Sequence, residues 1–149
     1  MVMQGRRLAR WERAVAYGVV GVAAEALFTG VRDGVPARDW RLQGRSYVSM
    51  LPIYGLSAFL FEPLHTALRS RALWQRAVGY SVGIMGVEYV AGMTLRRLVG
   101  VVPWDYSGHG RWVLPGGATR LDYAPLWAVA GLGMERVHDG LAGVTVTAR

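Results

Sequence analysis

Four apolar runs, at about 14–31, 46–64, 77–95 and 123–141, each carry one glutamate: Glu25, Glu62, Glu88 and Glu135. Each run is close to the roughly 20 residues that a membrane helix needs. A carboxylate held among apolar side chains is costly unless it is paired, protonated or bound to a cation. At membrane depth such a group counts as a functional-site candidate by default. The pattern therefore restricts the chain to helices that turn their four acids toward one another or toward polar partners.

The acids are sorted along the chain. All five aspartates (Asp33, Asp39, Asp105, Asp122, Asp139) lie in or beside polar stretches, whereas four of the five glutamates lie within apolar ones. Half of the 149 residues are hydrophobic and the mean hydropathy is positive, which is greasier than an ordinary soluble domain. Every basic residue is Arg; without Lys the chain has no phosphate-cradling GxxxxGK loop and no Schiff-base lysine. Without Cys it has no disulfide, thiolate metal site or cysteine nucleophile. The net charge of +7 raises the question of nucleic acid, but the arginines flank the apolar runs, as membrane-interface anchors do. No nucleic-acid partner is expected.

Two of the glutamates belong to Glu-x-x-His motifs, Glu62 with His65 in FEPLH and Glu135 with His138 in MERVH. On a helix, residues i and i+3 share a face. The motifs also recur in register. A shift of 63 residues lays Trp11, Arg13, Tyr17 and Glu25 on Trp74, Arg76, Tyr80 and Glu88. A shift of 73 lays Pro52, Glu62 and His65 on Pro125, Glu135 and His138. Each half reads as a helix with Glu, a loop, then a helix with Glu-x-x-His, over about 11–65 and about 74–138. With helix starts at Ala14, Leu51, Ala77 and Tyr123, the glutamates lie 11, 11, 11 and 12 residues in. That is roughly 17 Å at 1.5 Å per residue, near the middle of a hydrocarbon core about 30 Å thick. The expected fold is all-α: a single polytopic domain over 1–149, an integral membrane four-helix bundle built from two repeated helix pairs. An interfacial loop, at about 96–122, joins helices 3 and 4, its Trp104, Tyr106 and Trp112 suiting the headgroup level. Gly79 and Gly83, four apart, allow close helix contact. A basic start before an apolar run also fits a signal peptide, against which Glu25 and the repeat argue.

One Glu from each of two helices plus Glu-x-x-His from each of two others is the ligand set of dinuclear carboxylate sites in four-helix bundles. Glu25, Glu62, His65, Glu88, Glu135 and His138 are thus candidate ligands of two Fe or Mn ions, oxygen-rich sites with imidazoles suiting those metals. With iron, the chemistry would be oxidation of a lipid-phase substrate. Three other readings stay open. The carboxylates can carry protons or cations along a transport path, or serve as protonated structural glue between helices. His65 and His138 could instead be axial ligands of a haem. Arg136 stands beside Glu135 as a salt-bridge candidate. His109 reads as a solvated loop residue, and Asp105 and Asp122 as helix caps.

An even number of spans places both termini on one side. The arginines split nine against eight between the two sides, and the reading puts the ends in the cytoplasm of a bacterial cytoplasmic membrane. Partners are the bilayer and either a second copy or another membrane protein. FEPLH, VPWDYSG and RLDYAPLW together resemble the transmembrane-protein-229 family, also described as putative ABC-transporter type IV (CmpB-like) membrane proteins. The likeness runs from about Leu51 to His138 and implies a small polytopic membrane protein with a transporter label.

Overall fold

The structure, a computed structural model, describes residues 5–147. It is mostly helical. The strand β1 (Gly5–Arg7) precedes α1 (Arg10–Ala37), α2 (Met50–Gly55), α3 (Ser57–Leu68), α4 (Leu73–Val99), α5 (Ala124–Gly143) and the strand β2 (Thr145–Thr147). A single 3-10 turn, Leu121–Tyr123, leads into α5. The four expected runs are all helical, the second of them broken at Leu56 into α2 and α3.

The helix ends explain why two runs are longer than the apolar pattern suggests. At the start of α1, Glu12 reaches back to accept the Ala9 N–H (2.6 Å), and at the start of α4 Gln75 accepts the Ala72 N–H (3.2 Å). These are the returning halves of capping boxes, satisfying donors that an open helix end leaves orphaned. The two caps, like the two helix starts, stand 63 residues apart. α1 runs past the expected end near residue 31 to Ala37, with Pro36 next to last, where its missing N–H removes one bond only. It closes through Asp39 N–H to Gly34 O (2.9 Å) and Arg38 N–H to Val35 O (3.1 Å), with Arg38 in the left-handed region. That is the usual two-bond closure of a helix C-terminus, with Arg in the place glycine normally takes.

Contacts gather into two compact units. One holds α1, α2, the first turn of α3 and the strand pair; the other runs Phe61–Gly143. In the first, α1 packs on α2, with Gly18 against the Leu51 carbonyl and Gly55 against that of Ala14. In the second, α4 packs on α5, where a Cβ at Gly131 would collide with Tyr80, and Gly79 and Gly83 of α4 receive Leu68 and Leu64 of α3. Tyr17 and Tyr80, 63 apart, are both fully buried. β1 and β2 pair antiparallel, Arg6 opposite Val146, a ribbon that the sequence reading did not include.

Few large apolar side chains are inside. Val15, Val19, Leu27 and Phe28 of α1, Val78, Val82 and Val90 of α4, and Val129 of α5 all lie on the surface. α1 is long and apolar enough to cross a membrane, and among the described residues no other helix meets both conditions. The reasons are visible in the sequence. The second run is interrupted at Leu56, α4 is diluted by glycines, tyrosines and Glu88, and α5 carries Glu135, Arg136, His138 and Asp139 in its second half.

Candidate functional site

Within the second unit, α3 presents Glu62 and His65 one turn apart, and α5 presents Glu135 and His138 in the same way. The two motifs face each other crosswise. His65 Nδ1 lies 3.6 Å from Glu135 Oε1, and His138 Nδ1 lies 3.8 Å from Glu62 Oε1. The imidazole rings meet edge to face at 4.9 Å between centroids. Phe61 stacks nearly parallel on His65 at 5.9 Å and also covers Tyr80, so the cluster has an aromatic wall. Glu62 and His65 are buried, while Glu135 and His138 are partly so.

Two residues of α4, one turn apart, complete the cluster. Arg76 Nη2 donates to Glu135 Oε2 (3.2 Å), and its Nε lies 2.9 Å from Oε1 as a charge contact without a directed N–H bond. The ion-pair partner of Glu135 is therefore Arg76 from the next helix and not its chain neighbour Arg136. Tyr80 donates its O–H to Glu135 Oε1 (2.7 Å), while His65 Nδ1 sits 2.8 Å from the same hydroxyl oxygen. A phenol has one proton to give. Tyr80 gives that proton to Glu135, so its oxygen is left to accept and His65 Nδ1 faces it as the donor.

The other two glutamates are placed elsewhere. Glu25 accepts from Ser46 Oγ (2.5 Å), within the first unit. Glu88 accepts from Tyr106 OH (2.9 Å) and, through a short bond, from Thr119 Oγ1. Both therefore fasten a returning loop to the middle of a long helix. In the first unit the loop is held further by Thr29, whose hydroxyl accepts from Arg45 N–H (2.8 Å) and donates to Arg45 O (2.9 Å). In the second, Trp104 Nε1 donates to Ala118 O (2.9 Å). Glu25 and Glu88 stand 63 residues apart, and Ser46 and Thr119 stand 73 apart. The geometry thus brings four of the six candidate ligands together and does not support a dinuclear site, because Glu88 is spent on hydroxyls and Glu135 on a guanidinium.

The loop residues are corrected too. Asp105 accepts the Ser107 N–H (2.8 Å) in a local turn, and Asp122 pairs with Arg120; neither caps a helix. Those partners, the Ser107 hydroxyl and backbone for Asp105 and the Arg120 guanidinium for Asp122, hold both carboxyls below the ordinary 3.8. His109 is exposed and turns Nδ1 to the Tyr106 carbonyl.

A family model described as Putative ABC-transporter type IV matches residues 14–146. The chain belongs to that family. No solved structure matches it. In this family member, Arg76 and Tyr80 join the Glu and His of the sequence reading, and Asp139 brings a carboxylate oxygen within 4.8 Å of ring nitrogens of His65 and His138. The repeat carried a signal for two of them, since Arg13 and Tyr17 recur as Arg76 and Tyr80, one turn apart on the helix face that also bears the cluster.

Proposed function

We propose that the chain is a multi-pass membrane protein of transporter type, in which Glu62, His65, Glu135 and His138 form the station that a cation occupies on its way across the bilayer. The observation that carries this reading is the crosswise facing of two Glu-x-x-His motifs at 3.6 and 3.8 Å. Both separations exceed hydrogen-bond length, where a pair serving only as glue closes to about 2.8 Å. The imidazoles and carboxylates are thus held opposite one another. Arg76 fixes Glu135 as a charged wall, and the aromatic cover of Phe61 and Tyr80 keeps the surroundings poor in water, where charges act strongly.

Membrane residence is supported by the family, by α1, and by the apolar side chains that cover the helix surfaces. β1 and β2 pair, which puts the residues just before α1 beside those just after α5. Such a chain crosses a bilayer an even number of times. The reading is one membrane domain of two repeated helix pairs, both ends on the cytoplasmic face, with the Glu25 and Glu88 loops as equivalent anchors in the two halves. Irregular backbone at membrane depth is tolerated where protein buries it, and a carboxylate accepting hydroxyl bonds does that.

The test is cation-driven uptake in proteoliposomes, followed by a trapped dye. Glu62→Gln and His138→Gln are expected to lower flux at least tenfold while the protein stays folded. If both variants transport like the wild type, the cluster is not the path. Unchanged flux with lowered thermal stability would assign it to holding helices together.

A further inference from the structure

We infer that the station is a one-ion site for a divalent first-row transition metal, ligated by His65, His138 and Asp139, with Glu62 and Glu135 as the carboxylates that orient the two rings. The inference rests on the cation-handling reading and names the class of cation.

A ring nitrogen from each histidine and a carboxylate oxygen of Asp139 all lie within 4.8 Å of one another. Three ligands on one ion at about 2.1 Å stand about 3.4–3.6 Å from one another, so a shift of somewhat under an ångström per side chain closes the set. The facing of the rings already resembles that of a metal site. Ligating imidazoles almost always present one nitrogen to the ion and turn the other N–H to a carboxylate or similar acceptor. His65 does this through Nδ1 to Tyr80 and toward Glu135, and His138 faces Nδ1 to Glu62. His65 is therefore turned to offer Nε2.

The same bonds decide how many ions fit. Glu135 is engaged by Arg76, and a second dication there would sit against a guanidinium. The ring nitrogens and the Asp139 oxygen gather round one point, which is the geometry of a single ion. Two imidazoles favour zinc, copper, iron or nickel over magnesium and calcium, which prefer all-oxygen sites. Exposure falls from Asp139 through His138 to His65, so the ion would meet the carboxylate first and the buried ring last.

The experiment is a Co2+ titration of the full chain in detergent micelles, read from the visible bands of the bound ion and from metal content by mass spectrometry. We expect one Co2+ per chain. His65→Gln or His138→Gln should weaken binding at least a hundredfold, and Asp139→Asn, at an exposed position that folding tolerates, about tenfold. Glu62→Gln should weaken it by about ten- to a hundredfold through the loss of ring orientation. Glu25→Gln and Glu88→Gln should leave it unchanged. Two Co2+ per chain, or no more Co2+ on the wild type than on the His65→Gln/His138→Gln double variant, overturns the site. Co2+ bound in micelles with no flux in vesicles keeps the site and removes the transport reading. Flux without Co2+ uptake overturns the site and leaves transport standing.

Discussion

Tyr80 does three things with one side chain. It fills the space that Gly131 leaves, it gives its proton to Glu135, and its oxygen takes the proton of His65 Nδ1. Removing the hydroxyl leaves two buried polar groups short of a partner, which costs more than the mean worth of a hydrogen bond. Tyr80→Phe is expected to destabilise the protein by about 1–2 kcal/mol, measured by thermal unfolding in detergent. An unchanged melting temperature would show that the hydroxyl is not part of a tight network. Arg76 matters in a different way. A guanidinium cannot shed its charge, so it presents a fixed cation to Glu135 whatever else enters the cluster.

At the scale of helices, small residues decide which faces touch. Gly131 sits where α5 crosses α4, against the Cβ of Tyr80, while Gly133, two residues on, has open space around it. Adding one methyl group separates the two effects. Gly131→Ala forces Tyr80 aside and is expected to cost about 1–3 kcal/mol. Gly133→Ala gains helix propensity at no steric cost and is expected to stabilise by about 0.5–1 kcal/mol. Chemical or thermal unfolding of the two variants checks both signs, and equal effects would mean that α4 and α5 do not meet at Gly131. The returning loops are the other element-scale device. Thr29 with Arg45 fastens loop backbone to a helix that has already spent its own backbone bonds, whereas in the other unit Trp104 with Ala118 ties the loop to itself and Glu88 of α4 holds it through Tyr106 and Thr119. Side chains supply what the ladder cannot.

At the scale of the molecule, the proposed multi-pass reading requires an even number of crossings, because the β1–β2 ribbon pairs the two ends of the helical region. The absence of cysteine makes this directly testable. Arg7→Cys and Val144→Cys, each introduced alone, are expected to react with a membrane-impermeant maleimide from the same face of sealed vesicles. Labelling from opposite faces would require an odd number of spans. The same scale holds the contrast between a small interior and a wide apolar surface. Large valines and leucines line the outsides of α1 and α4, where a soluble domain would bury them.

The mostly helical character and the positions of the apolar runs were legible in the sequence, because apolar length and i, i+3 spacing act locally, but the break of the second run at Leu56 was not. The family resemblance was legible too, in FEPLH, PWDYS and LDYAP. Four glutamates at similar depth looked like one set, and only the tertiary structure divided them. Depth along a helix says nothing about which way a side chain is rotated or which loop comes back to meet it. Ser46, Thr119 and Tyr106 reach Glu25 and Glu88 across 21, 31 and 18 residues of chain, and Arg76 reaches Glu135 across 59. Such partners are chosen by packing, which periodicity does not encode. The Glu-x-x-His motifs stated what chemistry was present; the crossing of α3, α4 and α5 decided that each histidine faces the other motif's glutamate.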